Sequence, residues 1–222
     1  MICIPITARS VENTISEMIS ASKYADIVEL RIDYIPELQN AFTCIEKILK
    51  SKIKPVIITN RPEREGGKFN GSEQDRLRLL QKAIELGADY VDIECDSIKQ
   101  ITRRNSSKVI ISHHNFKETP HNLSKIYNDI CQHKPDIVKI VTYANDITDN
   151  IRIFELLSTA NLPIISFCMG ELGYISRILT KKFGGFLTFA SLVKGKESAP
   201  GQLTVDELSR TYNFKNIIYF YI

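Results

Sequence analysis

Eight short β-branched runs alternate with longer segments of helical periodicity through 222 residues, and no glycine-rich nucleotide fingerprint follows any of the runs. Alternation of this kind builds a parallel sheet covered by helices, and the missing fingerprint weakens an open nucleotide-binding sheet. The prediction is therefore α/β, a single-domain (β/α)8 TIM barrel over residues 1–212, followed by a tail over 213–222. Composition agrees, with 43% apolar and 25% charged residues as in a folded soluble chain.

The strand-like runs are 2–7, 27–33, 55–61, 90–95, 108–115, 136–143, 163–169 and 186–192. The segments 11–22, 37–50, 73–86, 96–103, 123–133, 148–159, 175–183 and 205–212 read as helices. The third is the clearest, with Leu77, Leu80, Ile84 and Leu86 stopped by Gly87. A net charge of +3 from 29 basic and 26 scattered acidic residues argues for neither a nucleic-acid nor a membrane partner. No apolar stretch approaches the ~18 residues of a membrane span. The first run, interrupted by Arg9 and Glu12, fails as a signal peptide. Five cysteines without metal-type spacing read as reduced thiols of a cytoplasmic protein.

In a barrel the chemistry sits at the C-terminal ends of the strands. The second run alternates Glu29, Arg31 and Asp33 with Val28, Leu30 and Ile32, which puts three charges on one face. A solvated antiparallel face is the plainer reading, but a βα repeat covers both faces, so those charges must pair with each other or with a ligand. The third run ends at Arg61 and enters Pro62-Glu63-Arg64-Glu65-Gly66-Gly67, where the glycines let the chain turn and bring Glu65 back. The fifth ends in Ser112-His113-His114-Asn115. Adjacent histidines point to opposite sides, so at most one of His113 and His114 faces the barrel axis, and since a metal would need a second imidazole on the same side, a general acid/base histidine is the better functional reading.

The sixth run, Ile137-Val138-Lys139-Ile140-Val141-Thr142, sets a lysine inside a buried strand. Burial and nearby cations lower a lysine's pKa and expose a nucleophilic amine, although a lysine snorkelling to the rim would leave the same pattern. After the seventh run, Gly170 and Gly173 lead into a helix start whose amides suit an anion, and Arg177 adds a fork for a carboxylate or phosphate. After the eighth, 194–202 is a polar loop of the kind that closes over a substrate, with Ser198 and Gln202 as hydrogen-bonding groups.

Taken together, Glu29-Leu30-Arg31-Ile32-Asp33, Arg61 with Glu65-Gly66-Gly67, Ser112-His113-His114-Asn115-Phe116, Lys139, Ile175-Ser176-Arg177 and Ser198-Ala199-Pro200-Gly201-Gln202 closely resemble type I 3-dehydroquinate dehydratase, in order from about residue 1 to 212. The resemblance implies a lyase of the shikimate pathway and aromatic amino acid biosynthesis, converting 3-dehydroquinate to 3-dehydroshikimate with no metal and no organic cofactor. It assigns Lys139 the Schiff base, His114 the proton transfers and Glu65 the positioning of that histidine. Arg177, Gln202 and Ser198 match the residues that hold the substrate carboxylate, and Glu29, Arg31 and Arg61 the wall that receives the hydroxyls.

Two departures stand out. His113 and Asn115 replace the residues that the resemblance leads one to expect around the histidine, and the apolar tail is surplus to a closed barrel. That tail resembles the first strand of the shikimate dehydrogenase domain fused to some members, or it is an added strand on the barrel exterior or at a dimer contact. A homodimer is expected. The competing readings are a class I aldolase-like Schiff-base barrel and a catalytically silent barrel that binds a polyol acid.

Overall fold

The computed structural model describes residues 1–36, 41–103 and 107–213. The remainder of the tail and the first residues of the expected second helix lie outside them. Eight parallel strands appear where the β-branched runs stand: β1 (Ile2–Ile6), β2 (Ile27–Arg31), β3 (Val56–Thr59), β4 (Tyr90–Glu94), β5 (Lys108–His114), β6 (Ile137–Tyr143), β7 (Ile164–Met169) and β8 (Thr188–Phe189). Their order in the sheet is β7-β6-β5-β4-β3-β2-β1-β8. Strand order thus follows chain order with β8 beside β1, the connectivity of the expected (β/α)8 class.

Among the described residues six α-helices separate them: α1 (Val11–Ala21), α2 (Ala41–Lys50), α3 (Glu73–Glu85), α4 (Leu123–Cys131), α5 (Asp149–Thr159) and α6 (Tyr174–Leu179). The helix expected over 96–103 is instead one tight turn, Ile98–Gln100, among the described residues. That stretch carries no apolar stripe long enough to repay a costly nucleus. The helix expected over 205–212 is present over 205–211, wound more widely from Glu207 to Thr211, and the eighth strand is two residues long rather than seven.

By Cα proximity the chain divides into two compact units, residues 4–110 and residues 1–3 with 111–222. In the first, β2, β3 and β4 run in register, with Arg31 beside Thr59 and Thr59 beside Asp92. Helix α1 starts where the Ser10 hydroxyl accepts from the Asn13 amide, and α3 where the Ser72 hydroxyl accepts from Asp75. Helix α3 stops at Gly87, whose φ of +81° provides the left-handed turn that lets Ala88 N–H return to the Ala83 carbonyl.

In the second unit, β6 and β7 pair along their whole length, from Val138 beside Ile164 to Tyr143 beside Met169. The Asn115 amide donates to the Val141 carbonyl. In a parallel ladder this sets His114 level with Val141 and Ser112 level with Lys139. Strand β1 closes on β8 through Ile2 with Thr188 and Cys3 with Phe189. The strands are buried on both faces, as a parallel sheet between helices requires. Among the described residues no helix is long and apolar enough to cross a membrane.

Candidate active site

The unit of residues 111–222 carries Lys139, His114, Arg177, Ser198 and Gln202. Lys139 projects from the middle of β6 and is 5% exposed. Its Nζ sits 4.8 Å from the centre of the Phe189 ring on β8. Phe189 meets Phe167 of β7 edge to face, centroids 5.9 Å apart, and the Arg177 guanidinium lies 4.3 Å over the Phe167 ring. Two buried cations therefore rest on one aromatic pair, whose negative faces favour them without supplying a counter-ion.

His114, at the last position of β5, is half-buried and stacks on Phe116 at 6.0 Å. Because side chains alternate along a strand, the register puts His114 on the same face as Lys139, two residues further toward the C-terminal edge. His113 points to the other face. The two adjacent histidines thus face opposite sides of the sheet.

Arg177 is 1% exposed and the fourth residue of α6. Its Nη2 donates to the Pro200 carbonyl at 3.1 Å, while Nε is buried without a hydrogen-bond partner. Burial pulls the group down to about 10, with the Cys168 thiol and Tyr174 phenol opposing weakly, so at neutral pH it is still a cation. No carboxylate pairs with it among the described residues. Pro200 belongs to the loop that carries Ser198 and Gln202. There the Gln202 Oε1 accepts from the Ser198 amide at 2.7 Å and from its hydroxyl at 3.1 Å. That contact fixes the amide's orientation and leaves Nε2 buried and unpartnered. A cleft of about 460 Å3 opens here, lined by Tyr174, Ser198, Pro200 and Gln202 among others.

One expectation is corrected. The amides of Gly170 and Gly173 are not anion donors, because Gly170 N–H turns to the Pro200 carbonyl at 3.3 Å and Gly173 N–H to the Gly170 carbonyl at 3.1 Å. The same crossing explains Gly201: a Cβ there would stand 2.4 Å from the Gly170 carbonyl oxygen. The loop's close approach replaces the backbone donors and leaves Arg177 and Gln202 as the donors on this side.

The unit of residues 4–110 holds Glu29, Arg31, Arg61 and Glu65, and here the buried cations are paired. Arg31 grips Asp33 with two bonds of 2.9 and 2.7 Å, and Glu29 accepts from the Thr59 hydroxyl at 2.8 Å. Arg61 lies just past β3, with Nη2 2.7 Å from Asp92 Oδ1 and Nη1 2.5 Å from Glu94 Oε1. Burial by itself would lower its pKa, but the Asp92 and Glu94 carboxylates outweigh that and raise it.

The loop after Arg61 doubles back, with Phe69 N–H on the Arg61 carbonyl and Glu63 N–H on the Phe69 carbonyl. Gly66 turns at φ +73°, and a Cβ on Gly67 would lie 1.9 Å from the Arg61 oxygen. The predicted glycine pair thus brings Glu65 to 3.6 Å from Arg61. Burial pushes the Glu65 carboxyl up to about 7; Arg61 pulls against this, and Glu94 and Asp92 add to it.

Three groups here escaped the sequence reading. Asp92 and Glu94 show the same alternation on β4 that marked β2, and that signal was available. Arg76 of α3 had only its place on the stripe shared with Leu80 and Ala83 to mark it as buried.

A family model described as Type I 3-dehydroquinase matches residues 2–219. The chain is 42% identical over 226 residues to the bifunctional 3-dehydroquinate dehydratase/shikimate dehydrogenase, chloroplastic, of Arabidopsis thaliana, matching with 98% of its own length but spanning only 37% of that longer protein. It is 39% identical over 223 residues to the 3-dehydroquinate dehydratase of Methanococcus vannielii, covering 96% of this chain and 99% of the relative. The crystal structure of 3-dehydroquinate dehydratase from Geobacillus kaustophilus HTA426 superposes with a TM-score of 0.84 at 26% identity, over 95% of this chain and 88% of that one.

Proposed function

Since the chain belongs to the type I 3-dehydroquinase family, we propose that its chemistry is divided between an imine-forming Lys139, a proton-moving His114 and a carboxylate-binding Arg177. The protein is a 3-dehydroquinate dehydratase of the shikimate pathway, a hydro-lyase whose substrate is 3-dehydroquinate. The Lys139 amine attacks the substrate ketone and water leaves, giving a protonated imine. That cation draws electrons from the neighbouring carbon, so its C–H becomes acidic as no neutral ketone's would. His114, on the same face of the adjacent strand, takes that proton and returns one to the departing hydroxyl.

The observation that carries the reading is the buried Arg177 guanidinium, which meets no carboxylate among the described residues. A charge held in that state asks for an anionic ligand, and a carboxylate also satisfies Gln202 Nε2 as the loop with Ser198 closes. A phosphosugar aldolase is the weaker alternative, because the dehydroquinase family model matches residues 2–219. Glu29, Arg31 and Arg61 are proposed as the receivers of the substrate hydroxyls. Glu65 is proposed as the carboxylate that the resemblance assigns to positioning the histidine.

We also propose one catalytic domain over 1–212, a homodimer, a cytoplasmic location and, given the bifunctional plant relative, association with or fusion to a shikimate dehydrogenase. The test of the site is Lys139→Ala: turnover falls by about four or more orders of magnitude, on the scale of nucleophile removal, while circular dichroism stays native. A variant within tenfold of the parent would sink the assignment.

A further inference from the structure

Helix α3 sends Arg76 inward, fully buried, on the stripe that Leu80 and Ala83 also occupy. Five contacts hold it. Its Nε and Nη2 fork onto Glu73 at 2.9 and 2.7 Å, Nη2 also reaches the Ser97 hydroxyl at 3.1 Å, and Nη1 donates to the Asn60 carbonyl at 2.9 Å. The fifth contact points toward Arg61: Nη1 lies 2.6 Å from Glu94 Oε2. That oxygen has no aligned hydrogen bond, so the approach is a charge contact. The other Glu94 oxygen is the one on Arg61.

We propose that Arg76 is a positioning residue for Arg61, acting through Glu94, and so governs affinity for 3-dehydroquinate without touching it. This rests on the reading that Arg61 receives substrate hydroxyls. The four buried charges Arg61, Arg76, Asp92 and Glu94 cancel. Without Arg76 the buried set gains negative charge, and Arg61 is the cation left against Glu94 and Asp92. Its guanidinium is then drawn toward them and away from a ligand, and Glu94 is released from the anchor that α3 provides. A framework arginine of no functional weight could be satisfied by Glu73, Ser97 and Asn60 alone; the contact with Glu94 makes Arg76 part of the site.

The test is a double-substitution cycle, Arg76→Met and Arg61→Met singly and together, with kcat and KM for 3-dehydroquinate. Arg76→Met raises KM about tenfold with kcat within twofold, Arg76→Lys recovers part of the loss, and adding Arg76→Met to Arg61→Met raises KM no further. If Arg76→Met fails to fold, Arg76→Gln with Glu94→Gln removes cation and anion together and is read in the same cycle. An unchanged KM in the folded Arg76 variant, or the same rise with and without Arg61, overturns the proposal while leaving Arg61 as a substrate ligand. An unchanged KM in Arg61→Met alone overturns that earlier reading and the proposal with it.

Discussion

Buried arginines in the two units of the chain meet different partners. In residues 4–110, Arg31, Arg61 and Arg76 each meet carboxylates at 2.5–2.7 Å. In residues 111–222, Lys139 and Arg177 rest on Phe189 and Phe167, and Arg177 meets no carboxylate among the described residues. A paired buried charge is satisfied, and it holds a shape. A buried guanidinium left without its anion costs the folded protein free energy that a ligand carboxylate recovers. Arg31, Arg61 and Arg76 are thus held by carboxylates of the chain, whereas Arg177 is the buried cation open to an anion from outside it.

The sharpest way to break this contrast is Arg177→Met. The expected result is a loss of about 10²–10³ in kcat/KM, roughly 3–4 kcal/mol of binding to the substrate carboxylate, with a thermal midpoint equal to or above the parent's. A lower midpoint would show that Arg177 is a structural cation like the others. The counterpart is Arg31→Met, which strands the buried Asp33 carboxylate and lowers stability by about 3 kcal/mol by denaturant titration. An unchanged midpoint in Arg31→Met would erase the distinction from the other side.

A smaller effect comes from Glu65. A carboxyl raised to about 7 in the folded chain, against ~4.3 when unfolded, favours folding fully below pH ~4.3. That contribution is lost as pH rises through 7, since the native state binds the extra proton. Glu65→Gln lacks this loss, so between pH 5 and 8 its midpoint gains about 3–6 °C on the parent's. Parallel curves would mean that the Glu65 carboxyl is not raised.

Most of the strand pattern was legible because a parallel strand buried on both faces must be a β-branched run, and a charge inside such a run stands out. Lys139 and the Glu29, Arg31 and Asp33 series were found in that way. The alternation of Asp92 and Glu94 was there to be seen, but their partner Arg61 lies just past the adjacent strand β3, and the register of β3 against β4 is not written in either strand alone. Arg76 is harder still, since in Glu73-Gln74-Asp75-Arg76 it reads as one more solvated charge until α3 is seen to pack that face. The spent amides of Gly170 and Gly173 were invisible because they depend on where the distant loop at Pro200 lies.

The central claim is that the lysine on the aromatic pair forms a covalent imine with the substrate. The direct measurement is mass spectrometry of the protein treated with borohydride in the presence of 3-dehydroquinate. The account predicts one stable adduct of reduced substrate mass, located on Lys139 and lost in Lys139→Ala. A folded, active protein that gains no mass, or gains it on a different lysine, would contradict it.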